Sequence, residues 1–370
     1  MGVYVSRIGI QTLAAQQPLE LLVERGARVA RDTGRLLDLA LRFYRDFYED
    51  SRGHSRRGAV RTRRLDQDNK DRPVRLKRFS IILLSVTATI AGGLFVINIS
   101  SGLSKLNNRT HRKLLVVDGK VGFTGGVGIA DEWDGNAQDP DHWRDTHFQI
   151  EGPAVAQMQA AFIDNWVKVT GIVLDGPDYL PAESGVGHDL AQVFKSSREG
   201  GSESMQLMYL LSTVSATRSI DLAMAYFVPD DLSETALVEA MKRGVKLRMI
   251  LPGPYTDTEV LRQASHTKWG RLLQGGAEIY EFQPTMFHCK VMVVDGLWSS
   301  VGSTNFDNRS FRLNDEANLN VFSAEFAERQ TAIFNEDLKR SRRVTYEEWQ
   351  NRPWMEKLSE RAEALLNSQL

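Results

Sequence analysis

Cysteine is almost absent from this sequence, since Cys289 is the only one in 370 residues. An intrachain disulfide framework and a multi-cysteine zinc site are therefore both excluded. Residues 1–20 lack a basic start followed by an apolar run, so we expect no cleavable signal peptide. The sequence also lacks a carboxylate-rich cluster of the kind that holds Mg²⁺. We expect neither a metal nor any other cofactor.

Net charge is nearly absent as well, at −1, but this total conceals an asymmetry. Residues 1–78 carry a charge of +8, almost entirely from arginine, whereas residues 79–370 carry −9. Such a shift marks a segment with a different role or origin. Because nucleic-acid sites are basic, the acidic remainder predicts no nucleic-acid partner.

Charge is missing altogether from residues 79–104. Residues 79–98 are long enough for the roughly 20 residues of a membrane-spanning helix, and the basic residues at 75–78 would keep the N-terminus in the cytoplasm. The alternative is a pair of buried strands at 81–86 and 94–99, because β-branched residues are plentiful there. Both interpretations stay open.

Two stretches, 177 residues apart, share one pattern: "THRKLLVVDG" at 110–119 and "FHCKVMVVDG" at 287–296. Both have the frame His-x-Lys-x4-Asp, which predicts a duplicated domain. Side chains two apart on a strand share a face, so His111 lies beside Lys113, and His288 beside Lys290. Two such pairs predict a shared pocket in which one imidazole attacks phosphorus and the other protonates the leaving alcohol.

The residues around each pair refine this picture. Asn305 and Ser303 follow the second pair and are candidate donors to a substrate phosphate. The first copy has Gly128 where the second has Asn305. Asp118 and Asp295 each precede a glycine, as at a hairpin tip, and are expected to serve the scaffold. Cys289 is predicted to point away from His288 and Lys290, into a buried apolar layer.

The second unit has a clear order of strands and helices, typical of α/β layers. We predict strands at 219–226, 246–251 and 278–281, a hairpin of 288–294 with 298–303, and helices at 258–274 and from Asp230 or Ser233 to Arg243, ended by Gly244. The corresponding front of the first unit is missing: residues 35–50 have helical spacing and residues 66–73 are highly charged. Residues 171–204 are interpreted as a connector.

These motifs are similar to those of the phospholipase D superfamily, and most of all to bacterial cardiolipin synthases. The resemblance covers residues 105–370 and rests on the segments "NNRTHRKLLVVDGKVGFTGGVGIADEW", "AYFVPD", "RGVKLRMILPG" and "FHCKVMVVDGLWSSVGSTNFDNRSFRLNDEANL". It implies two α/β/α sandwich halves related by a pseudo-twofold, with a site between them. It also implies a phosphohistidine intermediate, with His111 as nucleophile, and an acid that orients each imidazole. Asp145, 34 residues after His111, and Glu316, 28 after His288, fit the spacing of those acids.

The expected organisation has three parts: a basic N-terminal region at 1–104 with the candidate membrane segment, a first repeat at 105–190, atypical or incomplete at its N-terminal side, and a second at 191–370. The expected function is transfer of a phosphatidyl group to the alcohol of phosphatidylglycerol, at a membrane surface and, by resemblance, on the cytoplasmic side of a bacterial inner membrane. The alternatives are a nuclease-type phosphodiesterase and a catalytically silent membrane homologue. The N-terminal region is either truly divergent or the product of a reading-frame shift upstream of about residue 100.

Overall fold

The structure is a computed structural model that describes residues 5–12, 109–135, 137–182, 185–197, 204–354 and 357. The sequence predictions for 35–50, 66–73 and 79–104 lie outside these residues. Among the helices that are described, none is long and apolar enough to cross a membrane.

A mixed sheet runs through the described part of the chain. Its strands pair in the order β14-β9-β8-β6-β10-β11-β13-β5-β1-β4-β3-β2, while β12 pairs with β7 separately. The strands are β1 (Val5–Thr12), β2 (Leu114–Val117), β3 (Val121–Gly125), β4 (His147–Glu151), β5 (Asp189–Ser196), β6 (Ser219–Met224), β7 (Phe227–Val228), β8 (Lys246–Pro252), β9 (Glu278–Phe282), β10 (Lys290–Val294), β11 (Trp298–Gly302), β12 (Phe306–Asp307), β13 (Glu316–Phe322) and β14 (Ser341–Val344).

Helices cover both faces of this sheet, so the predicted α/β/α layering is confirmed. They are α1 (Ala154–Thr170), α2 (Ser204–Ser215), α3 (Asp231–Lys242), α4 (Glu259–Gln274), α5 (Asn308–Arg312), α6 (Ala324–Lys339) and α7 (Tyr346–Gln350). One apolar core joins the sheet to α2, α3 and α4 through Tyr209, Leu237 and Trp269. The other joins it to α1 and α6 through Met158 and Phe334.

Local signals in the second unit are confirmed. Asp230 caps α3 by accepting a hydrogen bond from the backbone N–H of Ser233 at 2.8 Å, and Gly244 follows the helix with a φ of +92°. β10 and β11 form the predicted antiparallel hairpin. Its tip, Asp295-Gly296, has φ values of 56° and 60°, as a type I′ turn requires.

The connector prediction for 171–204 is wrong over Asp189–Ser196, which forms β5. This strand pairs antiparallel with β13 along seven residues and parallel with β1. Only eight residues between polar, glycine-rich segments are involved, so local pattern alone did not separate the strand from its surroundings. The boundary expected between the repeats, at 190 and 191, falls inside β5 and stays a prediction.

The first repeat contributes β2, β3, β4 and α1 to the described structure. Its β2 corresponds to β10 of the second repeat, but β10 is flanked by β6 and β11 whereas β2 ends the sheet. No strand among the described residues takes the place of β6 beside β2. That the first half is incomplete at its N-terminal side stays a prediction, since the residues concerned lie outside the described ones.

Candidate active site

Each motif histidine is positioned by a short parallel backbone bridge to the other half of the molecule. Thr110 pairs with Asp315, and Arg144 pairs with Phe287. The N–H of His111 donates to the carbonyl of Asp315 at 2.9 Å, and the N–H of His288 donates to that of Arg144 at 2.7 Å. The two bridges are equivalent, so the predicted pseudo-twofold relation holds at the histidines themselves.

The orienting acids are exchanged between the halves. His111 Nδ1 lies 3.0 Å from both carboxylate oxygens of Glu316, and His288 Nδ1 lies 2.8 Å from Asp145 Oδ2. Sequence spacing identified both acids without assigning them, and the structure pairs each acid with the histidine of the opposite half. The bridges explain the exchange, because Asp315 and Arg144 immediately precede the two acids.

This pairing fixes the tautomer of both imidazoles. A carboxylate accepts, so each Nδ1 carries the proton and each Nε2 is left for chemistry. Burial would raise the pKa of Asp145 and of Glu316, but the hydrogen-bonded histidines and the nearby lysines lower the pKa of both acids overall. Two ionised carboxylates hold the two imidazoles, and Nε2 of His288 lies 3.1 Å from Lys290 Nζ.

Ser303 supports one of these acids. Its hydroxyl donates to Glu316 Oε2 at 2.5 Å and accepts from the backbone N–H of Ala317 at 3.0 Å. A hydroxyl has one proton, which is committed here, so the predicted role of Ser303 as a phosphate donor is corrected: it positions the acid. Asn314 Nδ2 adds a further bond to Glu316 at 3.2 Å.

The other acid is supported differently. Trp133 Nε1 donates to Asp145 Oδ2 at 3.0 Å, and the backbone N–H of Thr146 donates to Oδ1 at 2.7 Å. Gly126, the counterpart of Ser303, lies so close to Asp145 that a β-carbon at position 126 would overlap the carboxylate. An indole therefore takes the place of the hydroxyl.

We expect Gly126→Ala to lower activity by roughly 10- to 100-fold, because the new methyl group displaces Asp145 and misorients His288. Ser303→Ala removes a hydroxyl without adding bulk, so its loss should be smaller, about 10-fold. The measurement is turnover with the melting temperature of each variant recorded. A Gly126→Ala protein as active as the wild type would show that Asp145 has room to move.

The motif lysines lie beside their histidines, as predicted. Lys113 Nζ donates to the carbonyl of His111 at 3.1 Å, and Lys290 Nζ to that of His288 at 2.8 Å. Burial, and then the charge of Lys290, lowers the pKa of Lys113 to about 8. The same two causes lower the pKa of His288 to about 4. Lys113 of the first half and Lys290 of the second half therefore lie close enough for the charge of one to affect the pKa of the other.

Asn305 is nearly fully buried, and its Oδ1 has no hydrogen-bond partner among the described residues. The donor of this amide is its Nδ2 group, through which Asn305 remains a candidate donor to a phosphate. In the first half, a β-carbon on Gly128 would stand 3.0 Å from the ring of Trp133. The indole therefore occupies the space that a side chain at position 128 would need.

The motif aspartates serve the turns. Asp295 accepts from the backbone N–H groups of Thr217, Arg218 and Ser219 at 2.7–3.2 Å, so it ties its hairpin to the start of β6. Asp118 takes the same left-handed backbone, with a φ of 53°, but is exposed. Its half has no described counterpart of β6 to bind.

Cys289 is buried, at 1% exposure, within the apolar core that includes Phe334 of α6. Burial raises the pKa of its thiol. The thiol therefore acts as a small apolar side chain, as predicted. On the opposite side, Trp133, Trp143 and Tyr226 surround His288, with ring centroids 5.5, 5.3 and 6.2 Å away.

A family model described as "Cardiolipin synthase, PLD-like domain" matches residues 212–338. The cardiolipin synthase of Geobacillus kaustophilus is 36% identical over 266 residues, which cover 71% of this chain and 53% of that protein. Cardiolipin synthase A of Pseudomonas putida (strain GB-1) is 36% identical over 265 residues, covering 71% and 54%. The chain spans about half the length of these curated relatives.

Among solved structures, the phosphatidylserine synthase of Haemophilus influenzae Rd KW20 matches with a TM-score of 0.57 at 13% identity, and the match covers 72% of each chain. At that identity the likeness concerns the fold.

Proposed function

The chain belongs to the phospholipase D superfamily, and from that premise we propose that it is a cardiolipin synthase-like phosphatidyltransferase. The observation that carries this proposal is the pair of imidazoles, each held by a carboxylate from the other half. The substrate would be a phospholipid such as phosphatidylglycerol, taken from a membrane surface. The cytoplasmic face of a bacterial inner membrane is the proposed location.

The first step is attack of His111 Nε2 on the phosphorus of the donor lipid. His111 is the more exposed of the two, with 16% of its side chain accessible against 6% for His288. The N–P bond forms as the P–O bond to the leaving alcohol breaks, and His288 supplies the proton that the alcohol needs. Glu316 stabilises the positive charge on the His111 ring.

The second step reverses the proton transfer. His288 takes the proton of the incoming hydroxyl, whose oxygen forms the new P–O bond as the N–P bond breaks. The low pKa of His288 in the free protein has burial and Lys290 as its causes. A bound phosphate anion offsets the charge of the lysines, so the substrate itself raises the proton affinity of His288 for the first step.

Lys113 gives the reaction a pH dependence. Its pKa of about 8 means that it is cationic below that pH and neutral above it, so its stabilisation of the phosphoryl oxygens is lost as the pH rises. We expect kcat/KM to fall above about pH 8. Arginine keeps its charge, so Lys113→Arg should move this basic limb upward even at reduced activity. If kcat/KM of the variant fell at the same pH as that of the wild type, a group other than Lys113 would be responsible for the decrease.

The proposed activity is tested by incubating the full chain in vesicles with phosphatidylglycerol labelled in its terminal glycerol. Release of glycerol in step with the appearance of cardiolipin is the expected result. Failure of the intact protein to form any transfer or hydrolysis product would overturn the proposal. Quenching in acid-free buffer and mapping the modified residue by mass spectrometry should place the phosphoryl group on His111, and a label on His288 would exchange the two roles.

A further inference from the structure

A third cation shares the face of the first motif. Arg109 and His111 flank Thr110, which pairs with Asp315. Both bond to Asp315 through their backbones, so their side chains extend to the same side of this bridge. Lys113 follows, with its Nζ 3.1 Å from the carbonyl of His111, and, in addition to burial, the charge of Arg109 contributes to the lowering of its pKa. Arg109 is exposed, whereas Lys113 is partly buried. The three side chains therefore form a row from the surface to the phosphorus site.

Arg309 approaches this row from α5. The carbonyl of Arg109 accepts from the N–H of Asp315 at 3.1 Å, and the carbonyl of Arg309 accepts from the N–H of Asn314 at 3.0 Å. The backbones of Arg109 and Arg309 are therefore hydrogen-bonded to two adjacent residues, Asp315 and Asn314. Burial, and then the charge of Arg109, lowers the pKa of Arg309, as expected of like charges held close together.

The nearby acids are already engaged. Glu316 holds His111, and Asp315 holds Lys168 at 3.1 Å. Asp307 caps α5 by accepting from the N–H of Ser310 at 2.7 Å, and burial raises its pKa to about 7. Within the described part of the chain, the Arg109 side chain has no hydrogen bond or ion pair.

The second half has no such row. Met286 stands two residues before His288, where the first half has Arg109, and it is 2% exposed. The first half thus has a cation at a position where the second half has an apolar side chain. This difference suits a ligand that places an additional negative charge against the first half only. Adjacent arginines on a surface that leads into a phosphate site match the chemistry of a second phosphate.

We propose that Arg109 and Arg309 form a second phosphate subsite, which binds the phosphodiester of the acceptor lipid while its terminal hydroxyl reaches the phosphohistidine. The inference rests on the proposed function, and it assigns the selection of the acceptor lipid to these two arginines. In phosphatidylglycerol three carbons separate the free hydroxyl from the phosphate, so a second anion site must lie close to the first. An acceptor without a phosphate, such as ethanol, would make no use of it.

Competition between two acceptors tests this directly. Phosphatidylglycerol vesicles and ethanol are supplied together, and cardiolipin and phosphatidylethanol are quantified in the same tube. Both products come from one phosphoryl-enzyme, so their ratio is independent of the donor step. Arg109→Ala and Arg309→Gln should each lower the cardiolipin to phosphatidylethanol ratio by about 10-fold, and Arg109→Lys should restore part of it.

Arg329 provides a matched control, because it is a half-exposed arginine on α6 whose partner is Glu325. Arg329→Ala should leave the ratio unchanged. Glycerol 3-phosphate has a phosphate but no acyl chains. If the phosphate is what is recognised, the ratio of its transfer product to phosphatidylethanol should also be lower in the Arg109→Ala protein than in the wild type. A ratio that is unaltered in both arginine variants, with both products still formed, would overturn the subsite alone. If the wild type forms neither product, the proposed function fails with it.

Discussion

Alanine in place of His111 or His288 is expected to lower turnover by on the order of 10⁴-fold or more, since each removes a group that makes or breaks a bond in the transition state. Neither substitution should unfold the protein. The sheet and both cores are built from other residues, and the backbone bridges at 110 and 287 do not use the imidazoles.

Turnover and thermal melting, measured on the same preparations, separate these effects. Cys289→Ala is the natural control, because Cys289 lies between His288 and Lys290 but points into the apolar core. It should retain nearly full activity with a small loss of stability. A histidine variant that keeps a tenth of wild-type activity would contradict a phosphohistidine route.

The acids should show the crossed pairing in kinetics. Asp145→Asn and Glu316→Gln each keep the shape of the side chain but lose the charge that orients and stabilises an imidazole. A fall in turnover of about 10²- to 10⁴-fold is expected for each. The two variants should nevertheless differ in kind, because Glu316 serves the nucleophile and Asp145 serves the proton donor.

A lipid with a nitrophenol leaving group distinguishes them, since this group departs without a proton. His288→Ala and Asp145→Asn should regain much of their release of nitrophenol with this substrate. His111→Ala and Glu316→Gln should not. If instead Asp145→Asn behaved like His111→Ala, the acids would act within their own halves, and the pairing seen here would not be the catalytic one.

Much of the second repeat could be predicted because its signals are local. Asp-Gly at the hairpin, Asp230 at the start of α3 and Gly244 after it each act within a few residues. The strand period alone separated Cys289 from the faces of His288 and Lys290. These contacts need no knowledge of what lies across the sheet.

What escaped prediction depends on distant residues. The spacing of Asp145 and Glu316 identified both acids but could not assign them, since an acid 30 residues away is equally reachable within a half or across the interface. Ser303 was misjudged because its hydroxyl has a partner, Glu316, that only the folded sheet brings to it. Strand β5 is stabilised mainly by β13, more than 100 residues later.

The exchanged acids make each half of the site depend on the other. Each histidine depends on a carboxylate encoded in the opposite repeat, as it would in a symmetric pair of identical subunits that lend each other one residue. Loss of an acid from one half therefore disables the histidine of the other half rather than its own. Neither half can hold a working histidine alone, although the two differ at positions such as Arg109 and Met286.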